Sequence, residues 1–143
     1  MQSLNVGCGQ ALRGSVNIDV YRSVRKPCKD FFVASAMNLP FVDGVFEQVF
    51  CNHVLEHLVD PSKALDEMMR VSSREVELTV PHGKHPYSHI DTEHKWFFSK
   101  GWFCSALSKL GVAFTVKMRW DKNRPVYYLP IEIFVQTRKK INN

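Results

Sequence analysis

The chain has 143 residues, and its 19 Lys and Arg against 14 Asp and Glu give a formal net charge of +5 with neutral histidines. With 45% hydrophobic and 23% charged residues the composition is that of an ordinary folded protein, which excludes the disordered and fibrous classes. Uncharged apolar stretches such as residues 49–54 are far shorter than the roughly 20 residues that a membrane span needs. The first residues lack the basic and apolar regions of a signal peptide. We therefore expect one domain, residues 1–143, in the cytoplasm and without contact to a membrane.

Short apolar segments in the first third of the chain predict four strands. The first of these segments, residues 4–6, runs directly into Gly7-Cys8-Gly9, as a buried parallel strand does when it ends in a tight turn. The segments that follow are rich in β-branched and aromatic residues or alternate between apolar and polar residues, both typical of strands. The four predicted strands are residues 4–6, 16–20, 31–34 and 46–52.

The rest of the chain predicts two helices, a fifth strand and a hairpin. Asp60 is a suitable N-cap, and Pro61 fits the first helical position, so a helix is expected over residues 61–72. A second helix is expected over residues 99–110, with Gly111 ending it. Residues 75–80 predict a strand, and residues 112–120 and 127–137 predict a hairpin. Alternating strands and helices followed by a hairpin indicate an α/β fold, with a mostly parallel Rossmann-like sheet and a C-terminal antiparallel hairpin.

The connection between the first two strands is unusually short. Only residues 10–15 separate Gly9 from the second strand, whereas parallel neighbours are normally joined by a dozen or more residues that include a helix. We expect this first crossover helix to be shortened or absent.

A glycine-rich turn and a later acid predict a site for a nucleoside-containing cofactor. Gly7 and Gly9 let the backbone approach a ligand closely, and Asp19 on the next strand can accept both hydroxyl hydrogens of a ribose. A dinucleotide fits badly, because its Gly-x-Gly-x-x-Gly pattern and its acid about 20 residues later are not matched.

Two further motifs give the chain a family resemblance. Asn38-Leu39-Pro40-Phe41 precedes the fourth strand, and Leu55-Glu56-His57-Leu58 follows it. With the Gly-x-Gly turn, these motifs resemble the small class I S-adenosylmethionine-dependent methyltransferases over residues 4–81. The resemblance implies that Gly7, Cys8 and Gly9 lie beside the methionine part of S-adenosylmethionine and that Asp19 holds the ribose.

The resemblance also assigns residues to the adenine and to the sulfonium. Ser35 stands where the family has an acid that binds the adenine amino group, and Ala36 and Met37 flank the ring. Asn52 and His53, at the end of the fourth strand, would lie near the sulfonium. The N-terminal helices that cover the cofactor in this family would precede the first strand and are not in this sequence, so we expect an open pocket or one closed by a second subunit.

Histidines cluster after the fifth strand. His82, His85, His89, Asp91 and His94 have residue types that can converge on zinc or iron, but no predicted helix presents two of them at i, i+4. We predict instead that residues 82–102 form the wall that binds the methyl acceptor, with no bound metal. His89 is the leading candidate base, with Asp91 and His53 as further catalytic candidates.

The predicted function is S-adenosylmethionine-dependent methyl transfer to an unidentified nucleophilic acceptor. The alternative is a protein that binds a nucleoside or a partner on a reduced fold and catalyses nothing, which the short connection and Ser35 favour. A nucleic-acid acceptor is possible but not indicated, because the segment typical of amino-methylating nucleic-acid enzymes is absent. We expect a homodimer, since a sheet without its N-terminal helices leaves apolar surface uncovered.

Overall fold

The computed structural model describes residues 2–21, 30–120 and 130–139. The strands of this part of the chain form one seven-stranded sheet with the strand order β3-β2-β1-β4-β5-β7-β6. The strands are β1 Ser3–Val6, β2 Val16–Asp19, β3 Phe31–Val33, β4 Phe46–Asn52, β5 Ser72–Pro81, β6 Ala113–Trp120 and β7 Pro130–Arg138. The helices are α1 Pro61–Val71, α2 Tyr87–Ile90 and α3 Lys100–Lys109, and a 3₁₀ turn spans Leu55–His57.

The sheet confirms the predicted fold class. Strands β1 to β5 pair in parallel, and β7 pairs antiparallel with both β5 and β6. The connection between the two strands of the predicted hairpin and residues 127–129 of its second strand lie outside the described residues. None of the helices in the described ranges is long and apolar enough to cross a membrane.

Two boundaries differ from the prediction. Helix α1 ends at Val71 and β5 begins at Ser72, so the chain passes from helix to strand without a loop. The Ser72 hydroxyl donates a hydrogen bond to the Glu75 carbonyl, 2.9 Å away, at this junction. The segment after β5, where no element is predicted before the helix over residues 99–110, contains the short helix α2.

A hydrogen-bonded turn replaces the first crossover helix. Between β1 and β2 the chain forms turns and no helix, as predicted. The Asn17 side chain accepts from the Gly14 amide at 3.1 Å and donates to the Gly14 carbonyl at 2.9 Å. The buried Asn5 amide donates to the Ala11 carbonyl at 2.7 Å, and a Cβ on Gly14 would lie 2.5 Å from the Val16 oxygen. These contacts satisfy the buried polar groups of a connection too short for a helix.

Helix α1 packs its apolar face against the sheet. Asp60 caps it by accepting from the Lys63 amide at 2.9 Å, as the sequence predicts. The buried side chains recur at helical spacing on one face. These side chains are Ala64, Leu65, Met68, Met69 and Val71, all part of the core.

Two charged residues of α1 hold the Leu-Pro-Phe segment, which we call the clamp of Glu67 and Arg70. Arg70 donates to the carbonyls of Leu39 and Phe41 at 3.0 and 2.8 Å, and its Nε lies 2.7 Å from Glu67 Oε1. The other Glu67 oxygen accepts from the Leu39 amide at 2.7 Å. The clamp therefore fixes the loop before β4 to the helix after it.

Candidate functional site

A cavity of about 580 Å³ lies at the carboxyl ends of β1, β2 and β4. Its volume is within the range of about 300–1,000 Å³ common for small-molecule sites, and its position is where parallel α/β sheets bind ligands. The lining residues are Gly7, Gly9, Asp19, Val20, Tyr21, Ala34, Ala36, His53, Val54, His57, Leu58, Thr92, Glu93 and Lys95.

The two glycines of the turn after β1 have different roles. Both have positive φ, +66° at Gly7 and +50° at Gly9, a region that favours glycine. A Cβ on Gly7 would lie 2.2 Å from Val54 Cγ2, so Val54 requires the absence of a side chain there. A Cβ on Gly9 would meet no protein atom within 4 Å. The Gly9 backbone thus borders open space in the cavity wall, which suits close approach by a ligand.

The Asp19 carboxylate is fixed at the end of β2. Its Oδ2 accepts from the Gly9 amide at 2.8 Å, and its Oδ1 accepts from the Tyr21 amide at 3.1 Å. Each oxygen keeps a further lone pair, because a carboxylate has about four acceptor positions. The backbone has already oriented this carboxylate. It can therefore accept hydrogen bonds from two adjacent hydroxyl groups of a ligand in the cavity.

The other predicted cofactor residues divide into two groups. Ala36 and His53 line the cavity, whereas Cys8, Ser35, Met37 and Asn52 are not among its lining residues. The Ser35 hydroxyl accepts from the Met37 amide at 3.2 Å. The cofactor roles of these residues stay predictions.

His53 lines the cavity and also contacts two carboxylates outside it. It has a φ of +53°, unusual for a residue with a Cβ. Its Nδ1 lies 3.3 Å from Glu56 Oε1, and its Nε2 lies 3.1 Å from Glu132 Oε1. These carboxylates, Glu56 first, raise the pKa of His53 above its usual value against the opposing effect of burial. Arg119 forms an ion pair with Glu132 at 2.8 Å.

Residues of the predicted wall, 82–102, line the cavity, but they are not the predicted catalytic candidates of that segment. His89 and Asp91 do not line the cavity; His89 Nε2 lies 2.8 Å from the Gly83 carbonyl oxygen, and its ring stacks on Phe97 at 4.4 Å between centroids. Thr92, Glu93 and Lys95 line the cavity instead. The catalytic roles of His89 and Asp91 stay predictions, with no contact to this cavity that supports them.

Several residues that line the cavity were not predicted from the sequence, although one motif could have indicated them. Val54 immediately precedes the Leu-Glu-His-Leu motif, and His57 and Leu58 belong to it. This segment follows β4 at the ligand-binding edge of the sheet. The Glu56 carbonyl accepts from the amides of Lys95 and Trp96 at 2.7 and 3.2 Å, which brings the later segment to the same wall.

Comparisons of the sequence with known proteins identify a family. Residues 4–79 match the family model described as "Methyltransferase domain". Over 62 residues the chain is 39% identical to demethylmenaquinone methyltransferase of Paenarthrobacter aurescens (strain TC1). That stretch covers 43% of this chain and only 24% of the relative.

Solved structures share the fold at low identity. The chain resembles an S-adenosylmethionine-dependent methyltransferase of Thermotoga maritima, described as a possible histamine N-methyltransferase, with a TM-score of 0.76 and 16% identity. The match covers 97% of this chain and 82% of the other. The [4+2]-cyclase SpnF matches with a TM-score of 0.74 and 14% identity over 97% of this chain and 74% of its own. Identities this low show the fold and leave the reaction open.

Proposed function

Because the chain belongs to the methyltransferase domain family, we propose that it binds S-adenosylmethionine in this cavity and transfers a methyl group to a nucleophilic acceptor. The observation that carries the proposal is the pair of Gly9 and Asp19. An open stretch of glycine backbone stands beside a carboxylate that the Gly9 amide itself orients, at 2.8 Å.

The residues present fit the cofactor. Asp19 would hold the two ribose hydroxyls, and Gly7 and Gly9 would let the backbone pass beside the methionine part. Ala34 and Ala36 leave a shallow apolar surface on the same wall, suited to an adenine ring. When bound, S-adenosylmethionine supplies a methyl group on a cationic sulfur, and an in-line nucleophile takes that methyl while the S–CH₃ electron pair stays on sulfur, giving S-adenosylhomocysteine.

The chain's own contribution is to place the reactants. Well-oriented partners can remove roughly 7–11 kcal/mol from a bimolecular barrier. His53, Thr92, Glu93 and Lys95 bring polar groups to the cavity wall, and we assign that side to the acceptor. The acceptor itself is left unassigned, because the named relatives extend far beyond the matched stretch.

The alternative of a binding protein without catalysis also has support. Ser35 does not line the cavity, so the position that would bind the adenine amino group offers no contact there. The cyclase among the structural neighbours carries the same fold with another reaction in its name. Formation of S-adenosylhomocysteine separates the two functions, because a binding protein produces none with any acceptor.

Calorimetric titration of the protein with S-adenosylmethionine and S-adenosylhomocysteine tests the proposal first. We expect both to bind at one site, and we expect Gly9→Ala to weaken binding at least about tenfold because its methyl group enters the ligand's space. Gly111→Ala is the matched control: Gly111 has a φ of +63° and equally open surroundings but lies outside the cavity, so binding should not change. Absence of binding at millimolar ligand would refute the proposal.

A further inference from the structure

Three side chains of types that can ligate a metal ion lie close together beside the cavity. Glu56 and His57 belong to the 3₁₀ turn after β4, and His94 follows α2. One possible donor atom from each of the three lies within 4.8 Å of the other two. The rings of His57 and His94 are 4.8 Å apart between centroids. The backbone contacts of Lys95 and Trp96 with the Glu56 carbonyl hold the two segments together.

The Glu56 carboxylate is completely buried and under-satisfied. Its side chain is 0% exposed, and neither oxygen has a hydrogen-bond partner among the described residues. Oε1 has one ion-pair contact, with His53 Nδ1 at 3.3 Å, but its geometry makes no hydrogen bond. A buried charge costs several kcal/mol unless a counter-charge and further contacts satisfy it. His53 supplies one counter-charge on the Oε1 side, and the unpaired Oε2 points to a further cation that completes the surroundings of the carboxylate.

The backbone fixes the tautomer of His94. Its Nδ1 lies 2.9 Å from the Ser88 carbonyl oxygen, and since a carbonyl only accepts, Nδ1 carries the proton. The Nε2 lone pair is then available to a cation, in the arrangement that fixes the tautomer of ligating imidazoles. Asp91 Oδ2 lies 3.5 Å from this Nε2 and is a second carboxylate beside His94.

We propose that Glu56, His57 and His94 bind a divalent first-row transition metal ion of the zinc, iron(II) or manganese type. Two imidazoles and one carboxylate suit these ions better than the all-oxygen sites of calcium and magnesium. Ligands at about 2.0–2.2 Å from a tetrahedral ion are about 3.4 Å apart. The donor atoms, which lie within 4.8 Å of one another, would therefore approach each other by up to about 1.4 Å on binding. His57 also lines the cavity, so a metal ion at this site would lie beside the cavity.

No metal site was predicted from the sequence, because the histidines that cluster in the sequence are those after β5. Glu56 and His57 are adjacent in the sequence, which does not by itself indicate a metal site, and His94 is distant from them in the chain. Only the folded arrangement adds a buried, partly unpaired carboxylate to the set. The proposal concerns cation binding alone and does not depend on methyl transfer.

Metal titration of the untagged, chelator-stripped protein tests the site directly. Zinc, in competition with a chromophoric chelator, should bind with a stoichiometry of one, and cobalt(II) should give the visible absorption of a four- or five-coordinate site. His57→Ala and His94→Ala should each weaken zinc binding at least about tenfold and remove the cobalt spectrum. His89→Ala is the matched control, since it changes a neighbouring histidine outside the cluster and should leave both readouts unchanged.

A stability measurement covers the case in which a variant folds poorly. Zinc should raise the Tm of the wild-type protein and of His89→Ala, but not of His94→Ala or Glu56→Gln. No zinc binding at about 0.1 mM metal, or equal zinc affinity in the wild type, His57→Ala and His94→Ala, would overturn the proposal. Binding of S-adenosylmethionine is measured separately, so failure of the metal site and failure of the cofactor site are distinguishable.

Discussion

At the scale of single residues, Asp19 is the side chain on which cofactor binding depends most. Its carboxylate accepts hydrogen bonds from the backbone amides of Gly9 and Tyr21, which line the same cavity, and these bonds orient it. Charge-assisted hydrogen bonds to a ligand are worth about 1.5–3 kcal/mol each. The Asp19→Ala variant should therefore bind S-adenosylmethionine at least about tenfold more weakly, as measured by calorimetric titration.

The control for this prediction is Asp66→Ala, which removes an exposed carboxylate of α1 outside the cavity. Its dissociation constant should equal that of the wild type. Circular dichroism must show that Asp19→Ala is folded, because Asp19 also holds the turn at Gly9. An Asp19→Ala protein that is folded and binds with wild-type affinity would remove Asp19 from the site.

At the scale of elements, the clamp of Glu67 and Arg70 should stabilise the fold. Arg70 bonds two carbonyls of the Leu-Pro-Phe segment and pairs with Glu67, with about a third of its side chain exposed. Arg70→Ala should lower the free energy of unfolding by about 2 kcal/mol, as measured by urea denaturation. Arg74→Ala, which breaks only an exposed pair with Glu47 at 3.4 Å, should change it by less than about 0.5 kcal/mol. Equal effects of the two variants would contradict the clamp.

The clamp also predicts a dependence of stability on pH. The hydrogen bond from Arg70 holds the pKa of Glu67 below its ordinary value of 4.5, against the effect of burial. A carboxyl group whose pKa is lowered by folding contributes stability that is fully present above the ordinary pKa and is lost as the pH falls through the lowered one. Unfolding free energies measured from about pH 6 to pH 3 should fall less steeply in Glu67→Gln than in the wild type. The same slope in both proteins would show that Glu67 does not contribute.

The sequence predicted elements well where local signals mark them. Asp60-Pro61 gave the start of α1, and strong β-branched and aromatic runs gave β4 and β6. It missed the direct passage from Val71 to Ser72, because no glycine or proline marks the end of this helix. It also missed α2, whose four residues carry no amphipathic period.

Only those parts of the site that local sequence patterns mark could be predicted. The turn of Gly7 and Gly9 and the acid on β2 are local patterns, and both line the cavity. Thr92, Glu93 and Lys95 reach it through the packing of one segment on another, through the carbonyl of Glu56. No spacing in the sequence encodes that contact, so the sequence alone favours His89 over its neighbours.

At the scale of the whole molecule, apolar side chains remain exposed at the outer edge of the sheet. In β3, Phe32 is 48% and Val33 is 62% exposed, and Tyr21 beyond β2 is 76% exposed. Edge strands with exposed apolar groups readily pair with another chain. We predict a homodimer through this edge, with a mass by light scattering of twice 16.5 kDa.

A charged substitution tests which surface forms the dimer. Val33→Asp should give the monomer mass, whereas Ile90→Asp, at a residue 69% exposed on α2, should leave the dimer intact. A wild-type protein that is monomeric at concentrations of about 0.1 mM would contradict the prediction, and so would a Val33→Asp protein that stays dimeric.

The crystal structure of the protein with S-adenosylhomocysteine bound tests the central claim most directly, because it locates the ligand. We predict that the ligand occupies the cavity, with both ribose hydroxyls within hydrogen-bond distance of Asp19 and the homocysteine part against the backbone of Gly7 and Gly9. The adenine should lie on the wall of Ala34 and Ala36. A ligand found elsewhere on the protein, or a cavity that stays empty at saturating ligand, would contradict the account.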